Sequence, residues 1–195
     1  MPNAHEIKPL TAETVPAWRA LAEKHNGVWG GCYCSYFHGD TDQTVKNEHD
    51  RPTFKQRLVQ EGVAHVALVF DGDDAIAWCQ YGSPVELPNT YHRKQSDAGE
   101  TRPVPWRITC FFVDRDQRRS GVAREALDGA LALIAAAGGG EVVSFPNELT
   151  PGKRTSSSFL HNGTRAMFEQ TGFAFERHIG KSKTVMRRTV TPVQA

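Results

Sequence analysis

Apolar and polar positions along this chain follow two periods, and the switches between them mark its elements. Val15, Trp18, Leu21 and Ala22 recur at helical spacing, predicting a helix over residues 11 to about 25 that Asn26-Gly27 stops. A short strand over residues 6–10 precedes it. Residues 28–38 are aromatic and glycine-rich without a clear period, which predicts a structured loop. Pro52 sits near a helix start, and Phe54, Leu58 and Val59 form the inward side of a second helix ending at Gly62. Residues 64–70 and 75–82 read as strands around Asp71-Gly72-Asp73-Asp74, a hairpin signal.

The second half continues the alternation. Residues 83–105 hold four prolines and many polar side chains, predicting a long excursion before a strand at Trp106–Val113. After Gly121, a helix buries Val122, Ala126, Leu127, Ala130, Leu131 and Ile134 and ends in Gly138-Gly139-Gly140. A strand over 141–146, a polar stretch over 147–158 and a short helix over 164–171 follow. That helix puts Met167 and Phe168 on one side and stops at Gly172, before closing strands at 173–178 and 184–190. With no internal repeat and no linker, the 195 residues read as one α/β domain, 1–195.

Composition narrows the function classes. A net charge of +1 argues against a broad nucleic-acid-binding surface. No apolar run approaches the ~18 residues of a membrane span, and residues 1–8 lack the apolar core of a signal peptide. The expectation is a cytoplasmic protein with no membrane or nucleic-acid partner. Cys79 and Cys110 fall in strand-like runs and read as buried thiols, and nothing suggests a disulfide framework. Cys32-Tyr33-Cys34 with His38 lacks the second cysteine pair of structural zinc, so no metal is expected. Asn162-Gly163-Thr164 fits a glycosylation sequon, but in this compartment it reads as a helix cap.

The most informative stretch runs from Ile108 to Leu127. A β-branched and aromatic strand breaks at polar residues 114–117 and leads through Arg118-Arg119-Ser120-Gly121-Val122-Ala123 into an amphipathic helix. Such a turn offers unpaired amides and the positive end of a helix dipole, a place for phosphate. Three glycines opening a βαβ unit are absent, which excludes the dinucleotide fingerprint, and no Gly-Lys-Ser/Thr follows, which excludes a Walker loop.

Arg118-x-x-Gly121-x-Ala123 resembles the (Arg/Gln)-x-x-Gly-x-(Gly/Ala) loop of the GNAT N-acetyltransferase superfamily. The segments from Ile108 to Val113, Thr164 to Phe173 and Val185 to Arg188 are also similar to that superfamily, and the element order matches it along nearly the whole chain. The Gly30-Gly31-Cys32-Tyr33-Cys34 segment resembles bacterial branches whose substrates are mostly unassigned. The resemblance implies a mixed, mostly antiparallel sheet flanked by helices, with acetyl-CoA as co-substrate. It implies that the backbone of Phe111, Phe112 and Val113 bonds the pantetheine arm like an added strand. Arg118, Arg119, Ser120, Gly121, Val122, Ala123 and Arg124 would bind the pyrophosphate. Phe168 occupies the place where many members carry a tyrosine acid, and keeps the ring that packs on the cofactor without the hydroxyl. The central strand at Trp106-Arg107-Ile108 lacks the glutamate base of many members.

The implied activity is transfer of an acetyl group to a primary amine of a small molecule, by direct attack in a ternary complex. A protein N-terminus or lysine as acceptor, and a non-catalytic acyl-CoA sensor, are the alternatives; a homodimer is left open. For proton transfer the candidates are Tyr36, Tyr81 and His161, with His38 and Glu86 as bases. Freeing a lysine-like amine of its proton at neutral pH costs about 4.6 kcal/mol, against about 1 kcal/mol for an α-amine. Trp29, Cys34, Tyr36 and Tyr81 are the substrate-side candidates; the first three lie in the 28–38 loop, which reads either as packing over the sheet or as an acceptor wall, and Tyr81 lies in the strand at 75–82. Lys153 and Arg154 read as a solvated surface, with contact to the cofactor's 3′-phosphate as the alternative.

Overall fold

The computed structural model describes residues 5–39, 51–150, 152 and 155–194. The strands are β1 (Glu6–Pro9), β2 (His65–Asp71), β3 (Asp74–Gly82), β4 (Trp106–Val113), β5 (Gly140–Ser144), β6 (Ala174–Ile179) and β7 (Lys183–Val190). They form one seven-stranded sheet in the order β1-β2-β3-β4-β5-β7-β6. Among the described residues, β4–β5 is the only parallel pair of these strands. The helices are α1 (Val15–Lys24), α2 (Arg51–Gln60), α3 (Arg93–Ala98), α4 (Val122–Ala136) and α5 (Arg165–Gln170). The expected α/β domain with a mixed, mostly antiparallel sheet is what the chain forms. No helix among the described residues is long and apolar enough to cross a membrane.

Of three buried clusters among the described residues, the smallest gathers Val143, Phe145, Ile179 and Val185, and the two larger sit on opposite faces of the sheet. On one, α4 lays Val122, Ala126, Leu127, Ala130, Leu131 and Ile134 onto Ala67, Val69, Ala77, Cys79 and Ile108. These are the six helix positions the 3.6-residue period selects. On the other, α1 packs Val15, Trp18, Leu21 and Ala22 against Leu68, Phe70, Trp78, Cys110 and Phe112. Because side chains alternate along a strand, Cys110 and Phe112 fall to one core and Phe111 to the other.

Several elements differ from the periodic reading. α1 starts at Val15 rather than Thr11, because Thr14 Oγ1 accepts the Thr11 amide at 2.8 Å and forms a preceding turn. The 83–105 excursion contains α3. α2 fully buries Pro52 and Lys55, while Phe54, Leu58 and Val59 are only half-buried. The Asn162-Gly163-Thr164 triplet does cap α5 as expected, through Thr164, whose hydroxyl accepts the Met167 amide, while Asn162 bonds to the sheet. Lys153 and Arg154 lie outside the described residues.

Candidate active site

β4 and β5 part company after three residues. Trp106, Arg107 and Ile108 pair with Val142, Val143 and Ser144, and from Thr109 to Val113 β4 has no partner on that side. The Asp114 amide bonds Ile76 O across to β3 at 2.8 Å. Counting back by the two-residue alternation turns the amide and carbonyl groups of Val113 and Phe111 toward the opening. Side-chain contacts agree: Arg118 Nε reaches Val113 O at 3.4 Å, and Asn162 Nδ2 donates to Thr109 O at 2.6 Å.

A cavity of about 860 Å³ occupies this opening. Its floor is Phe111, Phe112 and Val113; its far wall is Leu160, Gly163, Thr164 and Met167. The residues from Gln117 to Glu125 close one end. There Arg119 and Gly121 take positive φ, at 67° and 95°, and the chain turns sharply into α4. No side chain caps α4. Its first backbone bonds come from the Arg124 and Glu125 amides to Gly121 O, so those of Val122 and Ala123 precede the ladder and stand on the cavity wall. A Cβ on Gly121 would meet nothing within 4 Å, because that position faces open space. Glu125, the acidic residue of the first turn, is held by His5 Nδ1 at 2.7 Å. All seven loop residues expected from the sequence, Arg118 through Arg124, line the cavity together with Phe111, Phe112, Val113 and Trp29.

Phe168 does not. It is fully buried, edge-on to Phe111 at 5.9 Å and to Phe173 at 4.9 Å between ring centres, and Met167 takes the place on the wall. The ring supports Phe111 from below, because the first turn of α5 points Met167 and not Phe168 outward.

At the other end, where β4 and β5 meet, aromatic and polar groups gather. Asn162 Oδ1 accepts from Lys183 Nζ at 2.6 Å, and the ammonium also reaches Asn147 Oδ1 at 3.3 Å. Burial pulls Lys183 down to about 8. His161 Nε2 lies 3.1 Å from the Tyr91 hydroxyl, and His161 Nδ1 lies 2.7 Å from Ser158 O. Burial, with Lys183 nearby, lowers His161 below the ordinary imidazole value. Tyr36 stacks on Tyr91 at 5.5 Å, and Trp29 approaches the His161 ring at 6.3 Å. Tyr36, Trp29 and His161 are therefore brought together, joined by Tyr91, Asn162 and Lys183, which the sequence reading missed; of these six only Trp29 lines the cavity itself. Asn162 was visible as part of the Asn-Gly-Thr triplet; Tyr91 carried no signal beyond its place in a long loop.

The remaining candidates lie elsewhere. Tyr81 is buried between His65 and Trp106, and burial raises its hydroxyl well above the ordinary phenol value. Glu86 is tied by the Ser83 amide at 2.6 Å and by His65 at 3.2 Å. Cys34 is buried, 2.9 Å from Cys110 Sγ, and accepts from Trp78 Nε1 at 3.1 Å. Beside it the Lys55 ammonium finds three acceptors: Gln80 Oε1 at 2.7 Å, His38 Nε2 at 2.8 Å and Cys34 O at 3.5 Å. His38 Nδ1 faces Glu86 O, so the ring is neutral, and burial with Lys55 pulls it down to about 2. Cys34, His38 and Glu86 thus hold the loop onto the sheet, and none of them lines the cavity.

No protein-family model and no curated protein matches the chain. Solved structures match along nearly its full length. A GNAT-family protein from Desulfovibrio desulfuricans superposes with a TM-score of 0.52 at 17% identity, over 96% of this chain and 100% of that one. An acetyltransferase from Thermus thermophilus does so at 0.53 and 14%, over 96% and 98%. RimL, a ribosomal L7/L12 α-N-protein acetyltransferase solved with coenzyme A, gives 0.54 and 14%, over 96% and 95%.

Proposed function

Since the chain has the fold of the GNAT acetyltransferases, we propose that it is an acetyl-CoA-dependent N-acetyltransferase acting on a primary amine of a small molecule. One observation carries this reading: the open edge of β4 runs from an uncapped helix N-terminus along an 860 Å³ cavity that ends at Leu160 and Gly163, the residues flanking His161 and Asn162.

The pyrophosphate of acetyl-CoA fits the turn from Arg118 to Arg124, where backbone amides, the α4 dipole and arginines favour anions. Five unpaired residues of β4 span about 16 Å at ~3.3 Å per residue, so an arm bonded along them brings its thioester to Thr109 and Phe111. There the inward-facing Phe111 amide polarises the carbonyl as an oxyanion donor does. A neutral amine attacks the thioester carbon, the tetrahedral intermediate expels the thiolate, and the amine's proton ends on sulfur. Substrate choice falls to the 28–38 loop and the segment carrying Tyr91.

The test is calorimetric binding of acetyl-CoA, followed by thiol release with a panel of small amines, an alanine-starting peptide and a lysine peptide. Binding with release driven by small amines supports the reading. Release driven only by a peptide moves the acceptor to proteins, and no binding overturns the reading.

A further inference from the structure

We propose that Tyr91 and His161 form the proton-transfer pair of this site, with Tyr91 as the catalytic residue that touches the reacting nitrogen and His161 as the positioning residue behind it. The inference rests on the acetyltransferase reading above and supplies the acid–base group that the central strand and α5 do not carry.

The placement comes from three contacts. Asn162 bonds Thr109 O at the point where β4 leaves β5, which fixes its neighbour His161 at the apex of the opening. Leu160 and Gly163, on either side of this pair in sequence, both line the cavity. Trp29, another cavity residue, approaches the His161 ring from across the opening. Tyr91 and His161 are not themselves on the cavity wall but stand just beyond its Leu160, Gly163 and Trp29 lining, at the apex of the opening, and an acceptor amine entering past Tyr91 meets there an acetyl group carried along β4.

The hydrogen bonds set the protonation state. A carbonyl oxygen can only accept, so His161 Nδ1 donates to Ser158 O and carries the ring proton. Nε2 is then the acceptor and the Tyr91 hydroxyl donates to it. Lys183, whose Nζ lies 4.9 Å from the centre of the Tyr91 ring, disfavours a second positive charge on His161, and burial adds to this. Tyr91 is itself pushed up to about 12 by burial, with Tyr36, Cys110 and Cys32 adding to the effect, so it stays a phenol.

The step balances as a relay. As the amine nitrogen bonds to the thioester carbon, the Tyr91 oxygen takes one of its protons while passing the phenolic proton to His161 Nε2. When the C–S bond breaks, the thiolate takes a proton back through the same oxygen, and His161 returns to its neutral form. Amine and acetyl thioester become amide and thiol with no net change at the protein.

The test compares wild type with Tyr91→Phe and His161→Gln, the latter keeping an acceptor for the Tyr91 hydroxyl but no titrating group. Acetyl-CoA affinity is measured by calorimetry, and thiol release by kcat and KM with the amine panel and with water as acceptor. The expected result is unchanged acetyl-CoA binding in both variants and a kcat about 100-fold lower in Tyr91→Phe, within the ~10²–10⁴ of a positioned acid–base group. His161→Gln lowers kcat and abolishes the acid limb of the pH profile, which in wild type lies below the ordinary imidazole value. If both variants bind and release thiol like wild type, the pair is overturned while the acetyltransferase reading stands. Failure of wild type to bind acetyl-CoA overturns both.

Discussion

Asn162 and Lys183 are joined at 2.6 Å, and through this contact the first residue of β7 is tied to the point where β4 leaves β5. The amide group of Asn162 uses both ends: its oxygen accepts from the ammonium, and its nitrogen donates to Thr109 O. Asn147, also bonded to Lys183, and the bridges it makes to Thr164 and Lys183 tie the far wall of the cavity to the same point.

Asn162→Leu leaves a buried ammonium short of an acceptor and a buried carbonyl without its donor. The charged hydrogen bond to Lys183 contributes about 1.5–3 kcal/mol and the neutral one to Thr109 O about 0.5–1.5 kcal/mol, so the variant loses roughly 3 kcal/mol in urea denaturation. A loss under 1 kcal/mol would mean that the two contacts contribute little.

Lys55 supplies a pH signature. Its folded pKa, about 8, lies below the ordinary 10.5, so between these values the unfolded chain binds more protons and folding gains as pH rises. Burial is the first cause, set against the nearby thiols Cys34, Cys110 and Cys32. Cys79, held above its usual value by burial, tilts stability the opposite way in either variant, while losing the Lys55 charge raises Cys34 and Cys110 in the variant and adds to the same trend in the difference. The stability of wild type minus that of Lys55→Met therefore grows between about pH 8 and 10.5. Denaturation curves of both proteins across that range check it, and a constant difference refutes it.

Phe168→Tyr adds a hydroxyl where the sequence resemblance expects a tyrosine, but here the ring is enclosed by Phe111 and Phe173. The added hydroxyl enters a core without an arranged partner, costing about 1–3 kcal/mol. Thiol-release rates are expected to stay at or below wild type, and a rise would show that the position reaches the reacting groups.

Gly121 separates backbone strain from ligand exclusion. At φ 95° any side chain is strained, so Gly121→Ala and Gly121→Glu both lose roughly 1–2 kcal/mol of stability. The glutamate also projects a charge into the space beside the uncapped amides. Calorimetry is expected to show weakened acetyl-CoA binding for the alanine variant and none for the glutamate.

The sequence by itself determined the elements whose residues are neighbours along the chain. The buried stripes of α1 and α4, the two-residue hairpin between β2 and β3, and the glycine turn into α4 each follow from spacing within about twenty residues, as does the end of the cavity that this turn closes. The tertiary structure alone decided the other end. Tyr91 meets His161 across 70 positions, Asn162 meets Thr109 across 53, and Lys55 meets Gln80 across 25. A polar side chain reads as solvated until its partner is known, so a lysine on α2 and an asparagine before α5 gave no sign of burial. The same is true of Phe168: helical spacing put it on a face with Met167, and only the packing of α5 on β4 decided which of the two reaches the cavity.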